Sequence, residues 1–176
     1  MKTSSCAVLF MFVLTSCAPA YDVYYSPSAI GGELVKWGPN IIGPSNAIIL
    51  KNDGFELKVR YTDALELELF VPNGHSLNMT VAEIHYIQGA TGVERKYPVT
   101  FFEFGMPGKI VTSFEGKSRR NIFQRDGSVY VARIDIGAVK ETFKIRLPTF
   151  RDGPNKVEFN DVVFKRETGM AISPIN

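Results

Sequence analysis

The sequence predicts an all-β protein, an antiparallel β-sandwich of immunoglobulin-like or transthyretin-like kind with about nine or ten strands. Three observations carry that expectation. In Phe55-Glu56-Leu57-Lys58-Val59-Arg60-Tyr61, apolar and charged residues alternate without a miss, a period of two that places Phe55, Leu57, Val59 and Tyr61 on a buried face and Glu56, Lys58 and Arg60 in water. Turn signals recur between short apolar runs: Asp53-Gly54, Asn73-Gly74, Asp126-Gly127 and Gly153-Pro154. No stretch carries the apolar stripe of a long helix, and Gly137 argues against one over residues 132–140.

Taken in order, the chain opens with Lys2 and a short apolar run, residues 7–14, which ends in Leu14-Thr15-Ser16-Cys17. One basic residue, a short apolar core and then small residues is the layout of a secretory signal peptide, and the run is far shorter than the ~20 residues that span a bilayer. Leu14-Thr15-Ser16-Cys17 resembles the lipobox of bacterial lipoproteins: an aliphatic residue, two small ones, then the cysteine that takes lipid. The resemblance covers Met1 to about Ala20. It implies loss of residues 1–16 and a diacylglycerol on Cys17. Ala18 stands where an aspartate would resemble an inner-membrane retention signal, which implies the outer membrane. Ala18-Pro19-Ala20 offers a competing cut after Ala20 that would release a soluble protein.

Residues 17–32 read as the lipidated N-terminus and a tether or leading edge segment, broken by Pro, Ser and Gly, with Tyr21, Tyr24 and Tyr25 docking on the domain. Residues 33–176 read as a single β-sandwich domain. Residues 47–50 join the strand at 55–61 through Asn52-Asp53-Gly54, a hairpin signal, and residues 65–71 repeat the alternation. Between residues 77 and 88 the apolar set starts on odd positions (Leu77, Met79, Val81) and moves to even ones (Ala82, Ile84, Tyr86). A one-residue phase change flips the core-facing side chains, so a bend near Val81-Ala82 lets the strand leave one sheet and join another. Val157 and Phe159 followed by Val162 and Phe164 show a similar shift. Further strands are expected at 97–104, 109–114, 128–136 and 142–147, while 44–49 and 119–124 are compatible with a short helix.

Composition limits the function. Lysine and arginine number 20 against 18 acidic residues, and Lys2 leaves with the leader. So even a balance gives no dense basic face for nucleic acid and little attraction to an anionic membrane. The two cysteines are Cys6, inside the leader, and Cys17, so the mature domain has no disulfide and no cysteine-based metal site, which suits a bacterial envelope better than a eukaryotic secreted setting.

Catalytic patterns are also missing. There is no G-x-S-x-G elbow, and a metal site would need His75 and His85 to converge with a carboxylate such as Glu83. Gly116-Lys117-Ser118 resembles the end of a phosphate loop, but Val111 occupies the position of its first glycine. The Glu66 and Glu68 pair is explained by cross-strand pairing with Lys58 and Arg60. The candidate binding residues are Lys117, Arg119 and Arg120 on a hairpin tip, and Trp37, the single tryptophan, read as a core anchor or else a ligand-stacking platform.

No converging catalytic set is visible, and the expectation is an envelope lipoprotein: a non-enzymatic binding or assembly module held by lipid on Cys17 at the outer membrane and facing the periplasm. Its partners are then the bilayer and another envelope protein, with no cofactor and no metal. The alternatives are a periplasmic inhibitor or immunity protein and a carbohydrate-active hydrolase that uses Trp37 beside Glu or Asp.

Overall fold

A computed structural model describes residues 20–37, 45–106, 108–118 and 125–171. Among these residues every regular element is a strand, and all the pairings are antiparallel. One sheet has seven strands. In chain order they are β2 (Glu33–Val35), β3 (Ala47–Asn52), β4 (Phe55–Tyr61), β5 (Leu65–Pro72), β9 (Phe101–Glu103), β10 (Ile110–Val111) and β12 (Gly127–Ile134), and in space the order is β10-β9-β12-β5-β4-β3-β2. A second sheet, ordered β1-β16-β13-β7-β8, is built from β1 (Ala20–Ser28), β7 (Glu83–Gln88), β8 (Glu94–Pro98), β13 (Phe143–Arg146) and β16 (Val162–Ala171). A third, ordered β11-β6-β14-β15, contains β6 (Ser76–Val81), β11 (Ser113–Glu115), β14 (Thr149–Asp152) and β15 (Asn155–Val157).

The second and third sheets form one bent layer. Strands β16, β13 and β7 of the second continue as β15, β14 and β6 of the third, in the same spatial order, with breaks at 158–161, 147–148 and residue 82. The first and last of these breaks are the two places where the apolar pattern changes phase. Leu77 faces the core from β6, and Ile84 and Tyr86 face it from β7, so one chain serves two sheets by skipping a residue at Ala82, whose carbonyl accepts the Val99 amide. The bent layer lies against the seven-stranded sheet, and their inner faces share one core. At one end Phe101 and Tyr130 of the large sheet meet Phe114 and Phe150; at the other Tyr61 meets Phe143 and Phe164.

Local chemistry explains the strands. Burial alternates along β4 without exception, as its sequence demands. The β3–β4 turn has positive φ at both central residues, 49° at Asp53 and 84° at Gly54, the conformation that an Asp-Gly hairpin turn adopts. Residues 135–142 form no strand, and tyrosines hold them. The Tyr25 hydroxyl donates to the Val139 carbonyl, the Tyr61 hydroxyl donates to the Gly137 carbonyl at 3.1 Å and accepts the Val139 amide, and Tyr97 donates to the Ile136 carbonyl. Backbone groups that no ladder pairs are thereby satisfied.

Two expectations change. The segment read as a tether or leading edge segment is a strand over most of its length, Ala20–Ser28 pairing with Val163–Ala171 over nine consecutive residues, and Tyr25 docks in the core as expected of it. Pairing with a distant strand outweighs the Pro and Ser that suggested slack chain. The expected strand count fits roughly: sixteen strands lie among the described residues, and expected runs such as 77–88 and 109–114 are each cut in two where the chain passes between sheets. Residues 47–49, the described apolar end of a stretch compatible with a helix, lie in β3, where Ala47 and Ile48 are buried. The other such stretch, 119–124, lies outside the described residues.

Candidate functional site

Of the sequence-derived site residues the structure describes Trp37 and Lys117, each with its own separate set of partners. Cys17, Arg119 and Arg120 lie outside the described residues. Lys117 follows β11, where its amide donates to Ser128 Oγ at 3.1 Å and its Nζ lies 3.6 Å from Glu103 Oε2. Glu103 is 4 % exposed, on the core side of β9 two residues from Phe101. Lys117 therefore sets a solvent-facing ammonium beside a buried carboxylate. Sequence reasoning passed over Glu103, although the signal was there: in Phe101-Phe102-Glu103 the glutamate shares the parity of the buried Phe101.

Trp37 is not a core anchor. It is half-buried on the outer face of the seven-stranded sheet, with the Arg60 guanidinium 4.5 Å and the Lys58 ammonium 4.8 Å from its ring centroid. Its backbone is fixed by Asn46, which accepts the Trp37 amide at 2.7 Å and donates to the Trp37 carbonyl at 2.8 Å; Arg60 Nη1 donates to the same carbonyl. The reason is parity. Lys58 and Arg60 point outward from β4, and stacking over their cations stabilises an indole by about 0.5–2 kcal/mol without core burial.

The same face carries a ladder of opposite charges. Lys58 stands opposite Glu68 and Arg60 opposite Glu66 in the β4–β5 register, as the alternating sequence requires. Lys58 Nζ is 2.8 Å from Glu68, and Arg60 Nε donates to Glu66 at 2.9 Å. Arg133 of β12 reaches Glu66 at 2.7 Å and Asp63 at 2.6 Å. Arg125 bonds Glu56 at 2.6 Å and lies 3.5 Å above the Phe70 ring. The cleft among Glu56, Lys58, Glu68, Phe70 and Arg125 is about 120 Å³, well below the ~300 Å³ of small-ligand pockets. Glu66 and Glu68 are each engaged by cations, so this face presents a stiff, charge-compensated surface.

The two histidines are apart, His75 just before a strand of the third sheet and His85 within a strand of the second. His75 precedes β6, its Nδ1 3.3 Å from Asp152 and its ring edge-on to Phe55. His85 projects from the outer face of β7 between Glu94, which contacts Nδ1, and Glu83, 3.3 Å from Nε2. Glu83 also takes Lys96 at 2.8 Å, and Glu94 has Arg146 at 3.8 Å. Among the described residues no three His, Asp or Glu side chains form a metal-holding group. The hydrogen bond to His85 is the main cause holding the Glu94 carboxyl below the usual glutamate range, while for Glu83 it is the bond to Lys96. Both contacts favour the charged carboxylate, so their contribution is present at neutral pH and disappears as acid protonates the two groups below that range. Replacing His85 with alanine moves the Glu94 pKa upward and leaves Glu83 low, because Lys96 remains. Side-chain carboxyl titration by NMR reads both, and an unmoved Glu94 would show that the contact does not form in solution.

Fold and site together define a class: an antiparallel all-β sandwich with an ion-paired outer face and a bent second layer. Compared with models of known families, with curated proteins and with solved structures, the chain matches none of them.

Proposed function

We propose that the protein is a bacterial envelope lipoprotein, a non-enzymatic binding or assembly module that lipid on Cys17 holds at the outer membrane, facing the periplasm. The observation that carries this reading is Leu14-Thr15-Ser16-Cys17 at the end of a short apolar run, in a chain whose remaining cysteine lies upstream of it. Diacylglycerol supplies two chains, and at ~0.8 kcal/mol per buried CH₂ two chains anchor durably where one holds marginally. A domain so anchored would offer loops and sheet edges to another envelope protein. The compensated charge ladder supports this reading over a carbohydrate-active hydrolase, since Glu66 and Glu68, the carboxylates nearest the cations that cover Trp37, are already paired. An inhibitor or immunity role would be a special case of the same module.

The test is a Cys17→Ser variant expressed beside the wild type in a bacterium. Wild-type protein is expected to sediment with membranes, and its N-terminal peptide to carry the diacylglycerol mass; the variant is expected to move almost wholly to the soluble fraction. A Cys17→Ser protein that stays with the membrane overturns the reading.

A further inference from the structure

The first described strand begins three residues after Cys17, at Ala20. Three residues reach at most about 11 Å, whereas sixteen slack residues, the whole of 17–32, would reach up to about 55 Å. From Ala20 onward the chain is committed, because β1 and β16 pair without a break from Ala20–Ala171 to Ser28–Val163. The far part of that pairing extends past its neighbour: β13 pairs only with Val162, Val163 and Phe164 of β16. Seven residue pairs, from Ser26–Lys165 out to Ala20–Ala171, thus form a two-stranded ribbon about 24 Å long. The ribbon is braced internally. The Tyr24 hydroxyl donates to Glu167 at 2.9 Å, and its ring lies over Gly169, where a Cβ would come within 2.7 Å of Tyr24 Cε1. The last two register pairs are uncharged, Ala20 opposite Ala171 and Tyr21 opposite Met170, and Asp22 opposite Gly169 comes next. Apolar and aromatic residues thus end the ribbon with a charge just behind them, a composition that suits the boundary between lipid head groups and water.

We propose that the β1–β16 ribbon is the contact of this domain with the bilayer: its Ala20–Ala171 end stands at the lipid surface and holds the body upright, with the opposite end turned away. This rests on the lipid anchor at Cys17 proposed above. The opposite end, about 27 Å along β1, carries the Ala29–Gly32 turn with Ile30, 85 % exposed, and a polar groove of about 480 Å³ between Ile30, Arg146 and Asp161. That groove runs beside the breaks at 147–148 and 158–161, so the bend between the two smaller sheets is what the upright domain presents to the periplasm.

The mature chain has one thiol, blocked by lipid, so a single introduced cysteine can be labelled alone. Lipidated full-length protein bearing a fluorophore at Thr168→Cys or at Ile30→Cys is placed in phosphatidylethanolamine–phosphatidylglycerol vesicles with a short-range nitroxide quencher on the head groups. Quenching at 168 is expected to exceed that at 30 several-fold, and a sixteen-residue Gly-Ser insert between Ala18 and Pro19 is expected to abolish the difference. A second pair, Arg166→Cys against Asn160→Cys, gives the same order if the first site disturbs folding. Equal quenching at both ends, or more at 30, in protein whose N-terminal peptide carries the diacylglycerol mass overturns the upright placement alone. Absence of that mass overturns the anchor and the placement with it.

Discussion

Replacing Phe143 with alanine is expected to lower the free energy of unfolding by about 4–5 kcal/mol, the upper part of the range for a buried phenylalanine. Phe143 is fully buried and touches rings from four other strands: Tyr25 of β1, Tyr61 of β4, Tyr86 of β7 and Phe164 of β16, the last stacked at 4.9 Å. Tyr61 belongs to the large sheet and the others to the second, so the side chain joins the two layers. The size of the loss depends on whether the neighbours can close the gap. Here two cannot move freely, because the Tyr25 hydroxyl is bonded to the Val139 carbonyl and the Tyr61 hydroxyl to Gly137 and Val139. Collapse into the cavity would break those bonds, so the cavity stays open and its cost of roughly 24 cal/mol per Å³ is felt in full. Urea unfolding followed by far-ultraviolet circular dichroism should show a lower midpoint with an unchanged slope. Phe104→Ala, at a residue 44 % exposed, serves as the comparison and should stay within about 0.5 kcal/mol of wild type. A loss below about 1.5 kcal/mol at Phe143 would mean that the layers are not joined as described.

The contrast between these two phenylalanines shows how much the sequence could convey. Parity along a strand is legible, and it placed Leu57, Val59, Leu67 and Leu69 inside and Lys58, Arg60, Glu66 and Glu68 in a paired ladder outside. Phase changes are legible too, and they located two of the three breaks that divide the bent layer. Long-range pairing is not. Nothing local in Ala20–Ser28 announces a partner some 140 residues away, so the same Pro and Ser left a tether and a leading edge segment both open. Trp37 was misjudged for a related reason. Its place is decided by Lys58 and Arg60, which a separate hairpin brings beneath it, and no pattern in the residues around Trp37 encodes that meeting. The candidate site was less legible than the fold, because Lys117 is placed by Glu103 and Ser128, which lie on two other strands, one before it and one after it, and no local pattern encodes that meeting.

Gly116→Ala is expected to cost at least about 3 kcal/mol, more than ordinary overpacking of about 1–3 kcal/mol, and to lower the melting temperature by roughly 6–12 °C. A Cβ at residue 116 would lie 1.7 Å from the Pro72 carbonyl oxygen, 2.4 Å from its carbon and 2.9 Å from the Val71 oxygen. All three are backbone atoms, which cannot yield as a flexible side chain can. Nor can the strand behind them shift, since Pro72 and Val71 are held in register by Gly127 and Ser128 of β12. The near side is fixed as well: the Gly116 amide donates to the His75 carbonyl at 2.9 Å, and the Gly74 amide donates to the Gly116 carbonyl at 3.2 Å. One added methyl must therefore separate β11 from the end of β5 and break those bonds. Gly92→Ala tests the specificity of the effect. Gly92 has a positive φ of 67° but open space around it, so alanine there meets only the left-handed backbone cost of about 1–2 kcal/mol. Thermal unfolding of both variants beside wild type decides the matter, and loss of the folded form in Gly116→Ala alone is the extreme of the same result. A Gly116→Ala protein as stable as Gly92→Ala would mean that the chain does not pass so close to Pro72. The glycine of Gly116-Lys117-Ser118, which the sequence offered as the end of a failed phosphate loop, is required because two backbones cross there with no room for a side chain.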